Sequence, residues 1–182
     1  MRLLLASGSP RRKEILTALG YEVTVVKPTF DEAQVTEPDP ARLVMRLAEG
    51  KGRSVPAGDS LLVASDTVVV FEGEVLGKPS DEKEAAAMLR RLSGKTHRVY
   101  TGVYLQRGAK STAFCDCTEV VFRTLTEEEI AAYIATGSPM DKAGAYGVQD
   151  SGFAAELRGS FHTVMGFPAE RFEEIIKDFG KE

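Results

Sequence analysis

The run Leu61-Leu62-Val63-Ala64-Ser65-Asp66-Thr67-Val68-Val69-Val70-Phe71 narrows the fold more than any other feature of this chain. Aliphatic and β-branched residues fill both alternations of the run, so it reads as a strand of the buried type rather than one half open to water. Asp66 stands at its centre. An ionised carboxylate inside such a strand is costly unless it is paired, hydrogen-bonded or bound to a metal. Asp66 is therefore a candidate general base or metal ligand. The competing reading is a structural aspartate that accepts backbone hydrogen bonds.

The segments before this run alternate strand and helix. Residues 2–6 form a short buried strand, and Ser7-Gly8-Ser9 makes a turn. Ser9 suits an N-cap and Pro10 the first helical position, which predicts a helix over residues 10–19 stopped by Gly20. Residues 21–26 are rich in strand formers, and residues 27–38 form a polar loop. Asp39-Pro40 repeats the cap-then-proline signature and opens a helix towards Lys51. After the run, residues 74–76 continue a hairpin around Gly73, and Ser80 caps a helix ending at Leu92. Residues 96–106 and 111–123 are two long strands joined by a hairpin at 107–110. Thr126 and Glu129 form a capping box for a helix to about Thr136. Residues 138–152 show little helix or strand pattern. A strand over 153–157 and an amphipathic helix over 169–179 follow, with Gly180 beyond. Alternation first and hairpin strands later predict an α/β domain over residues 1–182, with a long mixed sheet and flanking helices.

Charge excludes several functions. Twenty-three basic against 27 acidic residues leave a net charge of −4, where a duplex-binding protein carries a basic excess, so nucleic acid is not an expected partner. No apolar stretch approaches the ~20 residues that span a bilayer, so a membrane is excluded too. The apolar core of the opening segment, Leu3 to Ala6, is too short for a secretion signal. Cys115 and Cys117 lack partners at metal spacing and read as free thiols of a reducing cytoplasm. His97 and His162 lie in separate segments, with no zinc spacing, and are expected to be partly exposed.

Three further segments carry chemistry. Ser7-Gly8-Ser9-Pro10-Arg11-Arg12 joins a glycine turn, a helix N-terminus, two hydroxyls and two guanidiniums, all of which favour an oxyanion such as phosphate. Arg11 and Arg12 also oppose the helix dipole, which a bound anion would relieve. Gly77-Lys78-Pro79 fails the P-loop spacing, yet a lysine just after a strand still reaches a phosphate. In Asp141-Lys142-Ala143-Gly144-Ala145-Tyr146-Gly147-Val148-Gln149 small residues let backbone approach a ligand, and Lys142 and Gln149 supply charge and an amide.

Taken together, these blocks resemble the Maf family of nucleoside triphosphate pyrophosphatases. The resemblance rests on Leu4 to Arg12, Asp31-Glu32, Lys51, Ser65 to Val69, Leu76 to Pro79, Leu92-Ser93-Gly94, Thr101-Gly102-Val103, Asp141 to Gln149, and Gly159-Ser160 with Val164, Gly166 and Pro168, in that order. It implies an α/β fold like that of inosine-triphosphate pyrophosphatases, with two lobes around a cleft. It further implies hydrolysis of a nucleoside triphosphate to monophosphate and pyrophosphate with a divalent cation, Mg²⁺ or Mn²⁺. Asp66-Thr67 and the Asp141-to-Gln149 block look like the branch acting on dTTP and UTP. On that basis Asp66 takes the proton of the attacking water, and Asp66 and Glu32 hold the metal. Arg11, Arg12, Lys51 and Lys78 hold the triphosphate, with Lys78 part of the catalytic set. Ser7 and Ser9 orient the triphosphate, Thr67 and Gln149 meet the base, and Lys142 adds charge. The implied partner is the small nucleotide, with a second copy of the chain as a homodimer partner. Two alternatives stand beside this one: a pyrophosphatase for a modified purine such as 7-methyl-GTP, and a nucleotide-sensing regulator of septum formation.

Overall fold

A computed structural model describes residues 1–179; Gly180, expected past the last helix, lies outside the described residues. In chain order the elements are β1 (Arg2–Ala6), α1 (Pro10–Ala18), β2 (Glu22–Val26), α2 (Pro40–Arg53), β3 (Leu61–Phe71), β4 (Glu74–Leu76), α3 (Glu82–Leu92), β5 (Thr96–Arg107), β6 (Lys110–Phe122), α4 (Glu127–Ala135), α5 (Val148–Ser151), β7 (Ala154–Arg158), α6 (Phe161–Met165) and α7 (Ala169–Phe179). One seven-stranded sheet runs β2-β1-β3-β5-β6-β7, with β4 paired to β3 off that path. β1 is parallel to both β2 and β3, while along β3, β5, β6 and β7 each strand is antiparallel to its neighbour. The expected mixed α/β architecture is the observed one.

β3 is the spine of the sheet, and its two alternations bury against different partners. Leu62 and Ala64 face α2, forming a small core with Ala48, Val55 and Tyr104. Gly102 of β5, opposite Asp66 in register, lets α2 settle closely, because a Cβ there would overlap the Val44 backbone. The close approach of α2 sets its last turn, with Lys51, over β3. On the opposite alternation, Leu61 and Val63 pack with Leu3, Leu5, Leu16, Phe167 and Phe172 under α1 and α7. Farther along the same alternation, Val69 and Phe71 pack with Leu89, Leu92, Phe122 and Tyr133 under α3 and α4. Each fully buried Leu or Phe contributes ~1.5–3 kcal/mol of transfer free energy. Thr67 lies on β3 between these two larger cores.

Several local expectations are corrected. Asp81, not Ser80, caps α3: its carboxylate accepts from the Glu84 amide at 2.7 Å, the N3 spacing an N-cap serves. Ser80 instead donates to the Glu84 carboxylate. Residues 138–152 are not patternless but contain two short 3₁₀ turns, Ser138–Asp141 and Ala143–Ala145, and the single turn α5. α6 is too short to leave a periodic signal, and β7 starts one residue later than expected. No helix among the described residues is long and apolar enough to cross a membrane.

Candidate active site

A gap in strand pairing makes the site. β1 pairs with β3 only as far as Ala6 opposite Ala64, and β4 pairs with it only from Val69 onwards. Residues 65–68 keep β5 on one side and, among the described residues, no strand on the other. A cavity of about 830 Å³ opens onto this edge, at the carboxyl end of β1 where ligands of parallel sheets gather. The turn after β1, the last turns of α2, the loop after β4 and residues 141–149 all contribute to its walls. Every sequence-predicted site residue, from Ser7 to Gln149, lines this one cavity. The Gly144 amide donates to the Gly77 carbonyl at 3.1 Å, joining two of those walls. Gly144 has φ +71°, and a Cβ there would press on Val69, so this junction suits glycine.

One pole of the cavity is acidic. Asp66 is buried at 8% exposure and pairs through Oδ1 with the ammonium of Lys51. Glu32 reaches the same ammonium at 2.7 Å from a 3₁₀ turn that Asp31 caps by accepting from the Ala33 amide. Lys51, expected on the triphosphate, is thus bracketed by two carboxylates, because α2 ends directly above β3. Two carboxylates against one ammonium leave a local charge of −1. Both oxygens converge on a position now held by a cation, a donor set that suits Mg²⁺ or Mn²⁺, which take one or two carboxylates and complete their shell with phosphates. Among the described residues no group of three His, Cys, Asp or Glu side chains forms a self-sufficient metal cage.

The other pole is basic. Arg12 is half-buried and fans its guanidinium over three neutral acceptors: the Gly166 carbonyl from Nε at 2.8 Å, Ser7 Oγ from Nη1 at 3.1 Å and Thr67 Oγ1 from Nη2 at 3.2 Å. It forms no ion pair among the described residues. Loss of solvent lowers its pKa, with the Asp66 charge opposing the shift. Ser9, expected as the cap of α1, makes no side-chain cap bond; its amide donates to Ser7 Oγ at 3.1 Å instead. The buried Ser7 hydroxyl therefore serves both the turn and Arg12.

The rim residues divide. Arg11 reaches across the cavity mouth to Asp141 at 3.3 Å. Lys142, expected to offer its charge to a ligand, is committed to its own turn: Nζ donates to the Ser138 carbonyl at 2.6 Å, to Ser138 Oγ and to Asp141. Lys78 is exposed and has no ion-pair partner among the described residues, and Gln149 is exposed on α5. Thr67 is engaged by Arg12 and by Thr101 Oγ1 at 2.9 Å.

Sequence reasoning missed the support behind these groups. His97, expected to be partly exposed, is 2% exposed, and burial pushes its pKa down to about 4. Its Nε2 meets the Tyr146 hydroxyl at 2.6 Å, and its ring stands edge-on to Phe122 and Tyr146. Burial holds the Tyr146 phenol well above its usual range. The contacts of Thr101, Thr163 and Gly166 behind Arg12 and Thr67 were likewise not foreseen, although Thr101 stands in one of the blocks that carry the family resemblance.

Residues 2–179 match the family model described as Maf-like protein. A dTTP/UTP pyrophosphatase from Bacillus cereus is 43% identical over 98% of this chain and 95% of its own length. A Bacillus anthracis protein of the same name is 42% identical over the same shares. Among solved structures, the Staphylococcus aureus Ham1 protein superposes with a TM-score of 0.55 at 12% identity, covering 100% of both chains. A HAM1 protein from Coxiella burnetii reaches 0.50 at 13% identity, covering 98% of this chain and 99% of its own. At such identities the likeness concerns the fold alone.

Proposed function

The chain belongs to the Maf-like protein family, and we propose that it hydrolyses dTTP and UTP to the nucleoside monophosphate and pyrophosphate. It is a hydrolase of phosphorus-containing acid anhydrides. The observation that carries the reading is the pairing of an acidic and a basic pole in one cavity on the unpaired edge of β3. A triphosphate with a divalent cation presents the complementary charges. The curated relatives supply the identity of the substrate.

The reaction is attack of water on the α-phosphorus, with departure of pyrophosphate as the bridging P–O bond breaks. Binding and charge neutralisation carry most of such a step. Asp66 Oδ1 is held by Lys51, which leaves Oδ2 to take the proton of the attacking water. Lys51 keeps both carboxylates in place and offsets their repulsion. Arg12, locked by its three acceptors, presents its remaining N–H groups to phosphate oxygens, and Ser7 orients it. Lys78, exposed and without an ion-pair partner among the described residues, meets the leaving phosphates from the opposite wall. When bound, Mg²⁺ or Mn²⁺ would be held by Glu32 and Asp66 and would neutralise phosphate charge. Gln149 and Thr67 face the base, the amide able to donate to a carbonyl oxygen of the uracil or thymine edge. The free thiols Cys115 and Cys117 suit a reducing compartment, and we place the activity in the cytoplasm.

The test is kcat/KM for UTP, dTTP, CTP, GTP and 7-methyl-GTP, read by pyrophosphate release with and without Mg²⁺. UTP and dTTP are expected to lead. A wild type that prefers 7-methyl-GTP overturns the reading.

A further inference from the structure

The hydrogen bonds behind the basic pole have a direction. The Thr101 hydroxyl reaches the Thr163 carbonyl at 2.8 Å, and a carbonyl only accepts, so the single Thr101 proton is spent there. Thr101 Oγ1 also lies 2.9 Å from Thr67 Oγ1. With the Thr101 proton committed, Thr67 must be the donor in that bond. Thr67 then meets Arg12 Nη2 as an acceptor at 3.2 Å, which is the only role an arginine allows it. One proton and one lone pair of Thr67 are thereby used, and a single lone pair remains for the cavity that Thr67 lines.

Thr101 itself is 0% exposed and does not line the cavity. Its position is doubly fixed, since the Thr101–Thr67 pair sits in register on adjacent strands and Thr163 belongs to α6, whose own hydroxyl is anchored on Asp116 of β6. We infer that Thr101 is a positioning residue for nucleotide selection: by accepting the hydrogen bond of the Thr67 hydroxyl it leaves Thr67 a pure acceptor towards the cavity, so that the base atom facing Thr67 must carry a hydrogen. The ring nitrogen N3 of uracil and thymine carries one. The N3 of cytosine is a bare lone pair, and two lone pairs facing each other in a part-buried site form no hydrogen bond while both remain desolvated. This inference rests on the reading of Thr67 as a base contact in a pyrophosphatase of pyrimidine nucleoside triphosphates.

Thr101→Val tests it with little collateral damage, because the side chain keeps its shape and the Thr163 carbonyl still accepts from the Gly166 amide at 3.1 Å. Freed of its acceptor, the Thr67 hydroxyl can turn its proton towards the cavity and serve cytosine. The measurement is the ratio of kcat/KM for UTP to that for CTP in wild type, Thr101→Val and Thr101→Ser. Thr101→Val should lower the ratio about tenfold, mostly through better use of CTP, and Thr101→Ser should restore it, since serine keeps the hydroxyl. Should Thr101→Val fail to fold, Thr67→Val removes the acceptor itself and should abolish the same preference. An unchanged ratio with both substrates slowed equally overturns the role of Thr101, because the relay would then serve only Arg12. A Thr101→Ser enzyme that behaves like Thr101→Val overturns it too. A wild type without preference for UTP and dTTP defeats the pyrimidine reading and this inference together, an outcome visible before any variant is made.

Discussion

The two cations at the centre of the cavity, Arg12 and Lys51, are held in opposite ways. Lys51 is bracketed by Glu32 and Asp66, so its charge is more than matched. Arg12 is gripped by two hydroxyls and a carbonyl, and no carboxylate matches it. Neutral oxygens fix a guanidinium's direction without cancelling its charge, whereas carboxylates cancel the charge they fix. One pole is thus left with surplus positive charge and the other with surplus negative charge. Neither arrangement is the cheapest for an empty protein, and both become favourable when an anion and a cation arrive together. The contrast separates the binding of phosphates from the taking of a proton, and the two should fail differently.

Asp66→Asn gives the largest expected effect. It keeps the shape of the acidic pole but removes proton uptake, so turnover should fall ~10²-fold or more while KM changes little. Near-normal turnover would remove Asp66 from the reaction. Arg12→Ala comes next, with ~2–4 kcal/mol of transition-state stabilisation lost, seen as a fall in kcat/KM. Arg12→Lys should not rescue it, since one ammonium cannot serve three acceptors and a phosphate. Lys78→Ala should cost less, because Lys78 is exposed and unlocked. Lys13, exposed on α1 and outside the cavity, is the control. Lys110 would be a poor one, as its ammonium already binds the Phe179 carbonyl at 2.8 Å. Equal losses at Arg12, Lys78 and Lys13 would reduce the basic pole to a general field.

A smaller effect concerns stability, and it asks whether the poles or the aromatic floor beneath them limit the fold in acid. His97 sits at about 4 when folded, against an ordinary value near 6.5. The unfolded chain therefore takes up a proton that the folded one refuses. Stability from this group is complete above about pH 6.5 and is lost as pH falls towards 4. The slope is ~1.4 kcal/mol per pH unit, or about 2 kcal/mol between pH 6.5 and 5. Urea midpoints across that range should show the slope in wild type and lose it in His97→Phe. Equal slopes in both would assign acid sensitivity to the carboxylates of the acidic pole instead.

These differences also mark what could be read from the chain. β3 was legible because eleven consecutive residues allow no amphipathic alternative, and Asp66 stood out because a carboxylate in such a strand calls for a partner, a hydrogen bond or a metal. The cap-then-proline pairs gave α1 and α2 their starts. The partner of Lys51 was not legible: its place over Asp66 depends on how closely α2 settles on Gly102, a tertiary distance that residue spacing does not encode. Lys142 looked like a free charge for the same reason, since its three acceptors come from a turn too short to show periodicity. His97 was misjudged because a lone histidine gives no sign of burial until Phe122 and Tyr146 close around it. The surface of the site was thus visible in residue types, and its wiring was not.

The smallest expected effect is at Gln149, and the structure sets its size. A buried amide left without its partner costs ~1–3 kcal/mol, which would give large discrimination from one residue. Gln149, however, is exposed on α5, where water replaces whatever bond is lost. Its contribution therefore belongs at the lower end, less than about tenfold in the preference for UTP and dTTP over GTP. Thr67, deeper in the cavity and tied to Arg12, should carry the larger share. Comparing kcat/KM for UTP and GTP in Gln149→Ala and Thr67→Val ranks the two directly. If Gln149→Ala erases the preference while Thr67→Val spares it, base selection happens at the rim of the cavity, and the Arg12 side serves phosphate alone. If Gln149→Ala slows both substrates equally, the amide lies on the ribose or phosphates, and the rim takes no part in selection.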